Sequence, residues 1–235
     1  MKGPAPGIDP AAAREAIARE ADRLGLAIPE EALEALALHL HLLYAWNRRI
    51  NLTAIRDPAE GIRLHVLESL AALEWLDEIL EAAPVEPSPL LADLGSGNGY
   101  PALPLLAARP ALRGRLHERV ARKADFLRAV LRKTGMNSRV EVVEANFTGV
   151  FPERPAVVTL RAFPEPGSTI APVLADAPPT ESRSARRPSV LAWLSRDDAD
   201  RIAERISRLP GILVRTRSLP TRPAASLLFA RPREA

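Results

Sequence analysis

The sequence predicts an α/β protein: a Rossmann-like, mostly parallel sheet with helices on both faces, preceded by a helical extension. Three observations predict it. A short apolar run, Leu90–Leu94, meets a glycine loop, Gly95-Ser96-Gly97-Asn98-Gly99, that opens a helix. Strand and helix patterns then alternate to residue 160, the grammar of a doubly wound sheet. Before residue 83 the apolar residues recur only at helical spacing.

Residues 10–24 read as an amphipathic helix ended by Gly25. Residues 29–46 form a second, with Pro29 in its first turn and Leu33, Leu36, Leu40 and Leu43 on one face. Residues 58–82 form a third, with Pro58 at its start and leucines repeating from Leu64 to Leu76. Three prolines within residues 84–89 then make a stiff connector, and the domain boundary is placed there, giving 1–83 and 84–235. Beyond the glycine loop, residues 101–109 and 119–135 read as helices. Residues 112–117, 140–143 and 156–160 read as strands. Residues 164–189 are rich in Pro, Ser and Arg and carry no clear periodicity. Late strands are expected at 190–194 and 226–230, with a helix over 197–208 between them.

Composition narrows the chemistry. The chain has 235 residues, 47% of them hydrophobic, enough for a real core. It has no cysteine, which removes disulfides, thiolate zinc sites and a cysteine nucleophile. No apolar run approaches the ~20 residues of a membrane span, and the first seven residues lack a signal-peptide core. A cytoplasmic protein without membrane or metal is expected. The formal charge is only +3. Acids concentrate before residue 90 and arginines after residue 110. That asymmetry suits an RNA partner, but on charge alone a biased composition is the simpler account.

The glycine loop carries the chemistry. Gly95 and Gly97 can take backbone angles closed to other residues, and without Cβ atoms they let a ligand approach the main chain. The following helix offers free N–H groups to an anion. Glu118 stands about twenty residues on, at the end of the next strand, a spacing that suits a carboxylate on a ribose hydroxyl pair. Dinucleotides and S-adenosylmethionine both fit. The Gly95-x-Gly97-x-Gly99 spacing, with Asp93 just ahead, looks like motif I of class I methyltransferases.

Four further motifs appear in order. Tyr44 to Asp57 resembles the "WN…NLT…RD" stretch of the RsmG (GidB) family, and His65-Val66-Leu67-Glu68-Ser69 its "H-x-L-[DE]-S" segment. Gly95 to Leu105 is similar to its "GSGxGxPGxPL" loop, with Ala102 replacing a glycine. Arg122 to Leu127 matches its "[KR][KR]-x-x-FL" helix, and Arg161-Ala162-Phe163 its "RAF". The resemblance covers roughly residues 33–163. It implies a class I methyltransferase fold with a seven-stranded sheet, and a monomer that uses S-adenosyl-L-methionine to methylate guanine N7 in the decoding-region loop of 16S rRNA, in the small ribosomal subunit or its precursor. Residue by residue, it implies that Gly95, Gly97 and Tyr100 line the methionine and sulfonium end, that Glu118 holds the ribose, and that Ala145 and Asn146 flank the adenine. Arg161 would stand at the cofactor–substrate junction as the catalytic residue.

Departures lie downstream. Leu194-Ser195-Arg196 replaces an "LKG" ending, and Pro164-Glu165-Pro166-Gly167 is expected to interrupt a helix. They keep open a noncatalytic or retargeted relative, or a small-molecule methyltransferase. On the RNA side the candidates are His65, Arg122, Lys123 and Arg196; Arg122 and Lys123 belong to a wider cluster with Arg113, Arg115, Arg119, Arg128, Arg132 and Lys133. Arg183 to Arg187 forms another basic run, expected to be a loop. His65 and Glu68 are either a helix-surface pair or groups that order the cofactor loop. Phe163 and Tyr100 are either base stackers or core, and Trp46 is a helix-packing anchor. His39 and His41 face different ways and make no metal pair.

Overall fold

The computed structural model describes residues 7–82, 88–175 and 187–233. The expected domain boundary and most of the basic run Arg183–Arg187 lie outside them.

The first part is helical. Helix α1 (Pro10–Arg23) starts where Asp9 accepts the Ala12 N–H at 2.9 Å with Pro10 in the first turn. Helix α2 (Glu30–Asn47) follows. The third expected helix is broken into pieces. Helix α3 (Pro58–Gly61) runs into a π-helical stretch, Ile62–Leu67, then α4 (Glu68–Leu70); the chain turns at Ala71 and Ala72 before α5 (Leu73–Ala82). One contact explains the tight fit at its start. A Cβ on Gly61 would lie 2.3 Å from the Tyr44 hydroxyl, which donates to the Asp57 carbonyl.

The sheet part follows the expected alternation closely. Strand β1 (Leu90–Leu94), α6 (Ala102–Ala108), β2 (Arg113–His117), α7 (Ala121–Thr134), β3 (Val140–Val143) and β4 (Val157–Arg161) come in order. Helix α7 ends on Gly135 at φ +72°, as its glycine predicts. After Phe163, α8 (Pro166–Ala175) begins at once, with Pro166 in its first turn. The prolines therefore start a helix and do not interrupt one. Strand β5 (Ser189–Ser195), α9 (Arg196–Ser207), β6 (Ile212–Leu219) and β7 (Arg222–Pro232) complete the chain. Strand β6 has no counterpart in the sequence-based assignment.

The seven strands lie in the order β3-β2-β1-β4-β5-β7-β6. Pairs among β1 to β5 are parallel, and β7 runs antiparallel to both β5 and β6. Apolar side chains fill both faces. One core joins Ile17, Leu40 and Leu70 of the helical part to Leu105, Phe126 and Phe229. The other packs Val158, Leu160 and Ala192 against α8 and α9. No helix among the described residues is long and apolar enough to cross a membrane. The order reverses between β1 and β4, the switch point at which open α/β sheets bind their ligands.

Candidate active site

The carboxyl ends of β1, β2, β3 and β4 bring together the glycine loop, Glu118, Ala145–Asn146 and Arg161. Gly95, Gly97 and Gly99 have φ of +71°, +52° and +86°, the left-handed region that the loop's glycines were expected to use. The loop folds over the end of β2, where the Gly95 and Ser96 N–H groups both donate to the His117 carbonyl at 2.9 Å.

Glu118 is bound to that loop. Its Oε2 accepts the Gly97 N–H at 2.9 Å, and its Oε1 accepts the Val120 N–H at 2.7 Å. It is only 5% exposed. A Cβ added to Gly97 would sit 3.7 Å from the Gly95 carbonyl and 4.0 Å from Glu118 Oε2, in the space between loop and acid.

Behind the loop stands Asp93, 1% exposed. Its Oδ1 accepts the Thr159 hydroxyl at 2.6 Å, and its Oδ2 has no partner. Burial raises its pKa to about 6, against the opposing pull of the Thr159 and Ser96 hydroxyls. Other buried polar atoms at this end also lack partners, among them the Tyr100 hydroxyl, Arg161 Nη1 and His117 Nε2. Burial pushes the Tyr100 phenol well above its ordinary range. Asp93 and His117 did not stand out as site residues in the sequence. Asp93 was legible only as the acid ahead of the loop, and nothing marked His117.

Tyr100 lies between two imidazoles. His39 stacks on one face at 4.3 Å and 13°, and His65 on the other at 4.8 Å and 18°. His65 is 7% exposed, and burial followed by the nearby Arg161 charge lowers its pKa to about 3. Its Nε2 lies 2.9 Å from the Thr53 hydroxyl. Asn47 brings that threonine into place: its Oδ1 accepts the Leu52 and Thr53 N–H groups, and its Nδ2 donates to the Thr53 carbonyl. The tryptophan–asparagine stretch and the histidine segment thus converge on the loop. Trp46 packs edge-on against Phe126 at 5.8 Å, a helix anchor as expected. His41 points away from His39 and meets the Ile8 carbonyl.

Glu68 is not a surface partner of His65. It is fully buried and accepts from Arg161 at 2.6 Å, Thr221 at 3.0 Å and Arg222 at 3.2 Å. Its carbonyl accepts the Trp193 indole N–H at 2.7 Å. Arg161 also donates to the Leu64 carbonyl at 2.7 Å. One nitrogen of Arg161 therefore ties β4 to the helical part, and the other is left without a partner. Phe163 lies over the loop, 3.1 Å from where a Gly95 Cβ would stand, and packs on the core behind it. Ala162 between them takes φ +50°.

The outlying candidates separate. Ala145 and Asn146 are exposed beyond β3, next to Phe147, whose ring meets His117 edge-on at 5.6 Å. Val120, 42% exposed beside Glu118, is an apolar surface that no motif marked. Arg122 is exposed and Lys123 half-buried at the start of α7, with no ion pair to a described residue. Arg113 pairs with Glu153, Arg115 with Glu141, and Arg128 with Asp125 and Glu144. Arg196 is held by the Pro223 carbonyl at the start of α9. Ser195, the unexpected residue before it, caps that helix: it accepts the Asp198 N–H at 3.1 Å and donates to the Asp198 carboxylate at 2.8 Å.

Residues 32–172 match the family described as GidB: rRNA small subunit methyltransferase G. The chain belongs to this family. The ribosomal RNA small subunit methyltransferase G of Alkalilimnicola ehrlichii is 40% identical over 143 residues, 60% of this chain and 60% of its own length. That of Cupriavidus pinatubonensis is 35% identical over 166 residues, 67% of this chain and 68% of its own. With several such relatives the match spans under two thirds of their length, 60%, 56% and 65% in three cases. Among solved structures, the human methyltransferase 10 domain containing protein superposes with a TM-score of 0.54 at 13% identity, over 95% of this chain and 98% of that one. The precorrin-6y C5,15-methyltransferase from Geobacter metallireducens gives 0.50 at 14% identity, over 78% and 91%. At such identities the likeness is one of fold, that of class I methyltransferases. Within the GidB family match fall the glycine loop, Glu118, Arg161 and the residues around Tyr100.

Proposed function

We propose that this GidB-family chain is an S-adenosylmethionine-dependent methyltransferase acting on guanine N7 in the decoding-region loop of 16S rRNA. The observation that carries the cofactor is Glu118, clamped at Gly97 beside a cradle without side chains. Family membership carries the substrate.

The residues divide the work. Gly95 and Gly97 receive the methionine end, with Tyr100 and Phe163 around them. Glu118 still has lone pairs for a ribose hydroxyl pair after its two backbone bonds. Ala145, Asn146 and Val120 border the adenine. Bound S-adenosylmethionine supplies an activated methyl group on a sulfonium. Guanine N7 presents a lone pair and no proton, so the chain needs no general base; it has to orient the base and keep water out. Arg161, fixed by Glu68 and with Nη1 free of protein partners, is the cation at the junction. Arg122, Lys123 and Arg196 are assigned to RNA phosphates, with Arg119 alongside.

The test is small-subunit rRNA from a strain lacking this chain, probed for N7-methylguanine in the decoding-region loop. Methylation there is expected to be lost, and to return with purified protein and labelled S-adenosylmethionine. Methylation unchanged in the deletion strain overturns the assignment.

A further inference from the structure

His39 has no part in the function above, yet it touches the glycine loop in three ways. Its Nε2 lies 2.8 Å from the Asn98 carbonyl. Its ring stacks on Tyr100. A Cβ on Gly99 would lie 3.1 Å from its Cε1 and Nε2. The ring is 1% exposed. A carbonyl oxygen only accepts, so Nε2 carries the proton and donates. Nδ1 is then a bare acceptor, and it has no partner in the buried interior. Burial holds the ring neutral, lowering its pKa to about 4. The imidazole is fixed in one tautomer and one charge state.

Asn98 is held from a second side as well. Its Nδ2 donates to the Leu52 carbonyl at 3.2 Å, and the Leu52 N–H is held by Asn47 at the end of α2. Both ties run from the helical part to one loop residue. That residue sits between Gly97, whose N–H meets Glu118, and Gly99, whose carbonyl accepts the Leu103 N–H as α6 begins.

We propose that His39 is a positioning residue for the cofactor loop. Its Nε2–H fixes the Asn98 peptide, and through it the set of the Gly97–Gly99 backbone that receives the cofactor. The role rests on the cofactor site assigned above. Because linkage is reciprocal, loop occupancy tightens α2, and a partner pressing on α2 changes cofactor affinity by the same factor.

Two substitutions separate the hydrogen bond from the packing. His39→Phe keeps a flat ring for Tyr100 and has no donor; His39→Gln keeps an N–H donor and loses the ring. Amide exchange of residues 95–103 is measured in the cofactor-free protein, with the melting temperature and the Kd for S-adenosylhomocysteine by calorimetry. In His39→Phe, exchange is expected to quicken and Kd to rise, each about tenfold, the scale on which one lost buried hydrogen bond shifts an equilibrium. The melting temperature stays within a few degrees, and His39→Gln stays near wild type in all three. Wild-type exchange and affinity in His39→Phe overturn the proposal. So does a His39→Gln protein as impaired as His39→Phe, because packing would then account for everything. Where the phenyl ring is not accommodated, His39→Leu takes its place with the same expectations. If wild type binds no S-adenosylhomocysteine, the cofactor assignment fails, while the exchange contrast still decides whether His39 holds the loop.

Discussion

Replacing Glu118 by alanine removes the acceptor from two backbone donors, the Gly97 N–H at 2.9 Å and the Val120 N–H at 2.7 Å. Both bonds are only part-buried, so the freed N–H groups can turn to water. The net loss is then about 1–2 kcal/mol, below the ~1.5–3 kcal/mol that each charged hydrogen bond can contribute when fully buried. For a chain of this size that lowers the melting temperature by roughly 2–8 °C. The cofactor side loses more. A carboxylate on a ribose hydroxyl pair contributes about 2–3 kcal/mol, so affinity falls roughly 30- to 150-fold. Glu118→Gln has one acceptor oxygen in place of two; it keeps one backbone bond, sets an NH₂ against the other, and falls between wild type and Glu118→Ala. Calorimetric titration with S-adenosylhomocysteine and a thermal scan measure both quantities. A Kd for Glu118→Ala within threefold of wild type, at an unchanged melting temperature, refutes the assignment of Glu118 to the ribose.

Glu68→Ala leaves the buried Arg161 without its carboxylate and is expected to cost about 3–5 kcal/mol, read as a fall in denaturation midpoint; an unchanged midpoint counts against the hub. Arg122→Ala combined with Lys123→Ala is expected to lower the salt slope of RNA binding by about 1.5–2 while leaving melting temperature and cofactor affinity alone. An unaltered slope removes these two residues from the RNA face. Between pH 6.5 and 4.5 stability is expected to fall with pH. Folded His39 and His65, with pKa about 4 and about 3, refuse protons that the unfolded chain takes near 6.5, whereas Asp93, raised to about 6, binds one the unfolded chain has released and so opposes them. These three groups together give about one proton, or about 1.4 kcal/mol per pH unit, and Asp93→Asn steepens it to about two; His117, also lowered by burial, acts in the same direction as the two histidines. A melting temperature flat across that window would contradict the buried, neutral state of both histidines.

The sheet was legible because its strands are short apolar runs between glycines and charged turns; Val140–Val143 falls on the residues expected. Strand β6 was not, for a physical reason. It lies at the sheet edge and carries Arg215 and Arg217, which read as loop residues. Their guanidiniums lie 4.8 Å from the Phe229 ring centroid and 4.5 Å from that of Trp75, so the charge itself covers the apolar surface. Helix α8 was hidden by Pro166 and Pro172, and the leucine periodicity from residue 58 ran across a π-helical stretch that it cannot detect. In the site, the pairing of the loop with Glu118 was legible from spacing, and the two meet in the Gly97 N–H bond to the carboxylate. The ion pairs of the basic cluster were not legible, because the acids that engage Arg113, Arg115 and Arg128 come largely from β3 and the segments after it.

His39 shows most sharply where one-dimensional pattern stops. On α2 it is one more residue at helical spacing, and its partner lies 59 residues away. A carbonyl carries no side-chain signature, so no motif could announce that bond. Yet the residues before the connector that resemble the family, Asn47, Leu52, Thr53 and His65, all end in contacts with one another or with Asn98 and Tyr100. A glycine loop after a first strand is ordinarily braced by its own sheet. Here the sheet braces one side, through the His117 carbonyl and Glu118, and the helical part braces the other. The site takes its shape from elements on both sides of residues 83–87. Substitutions in α2 far from any cofactor atom should therefore register in cofactor affinity before they register in the strands.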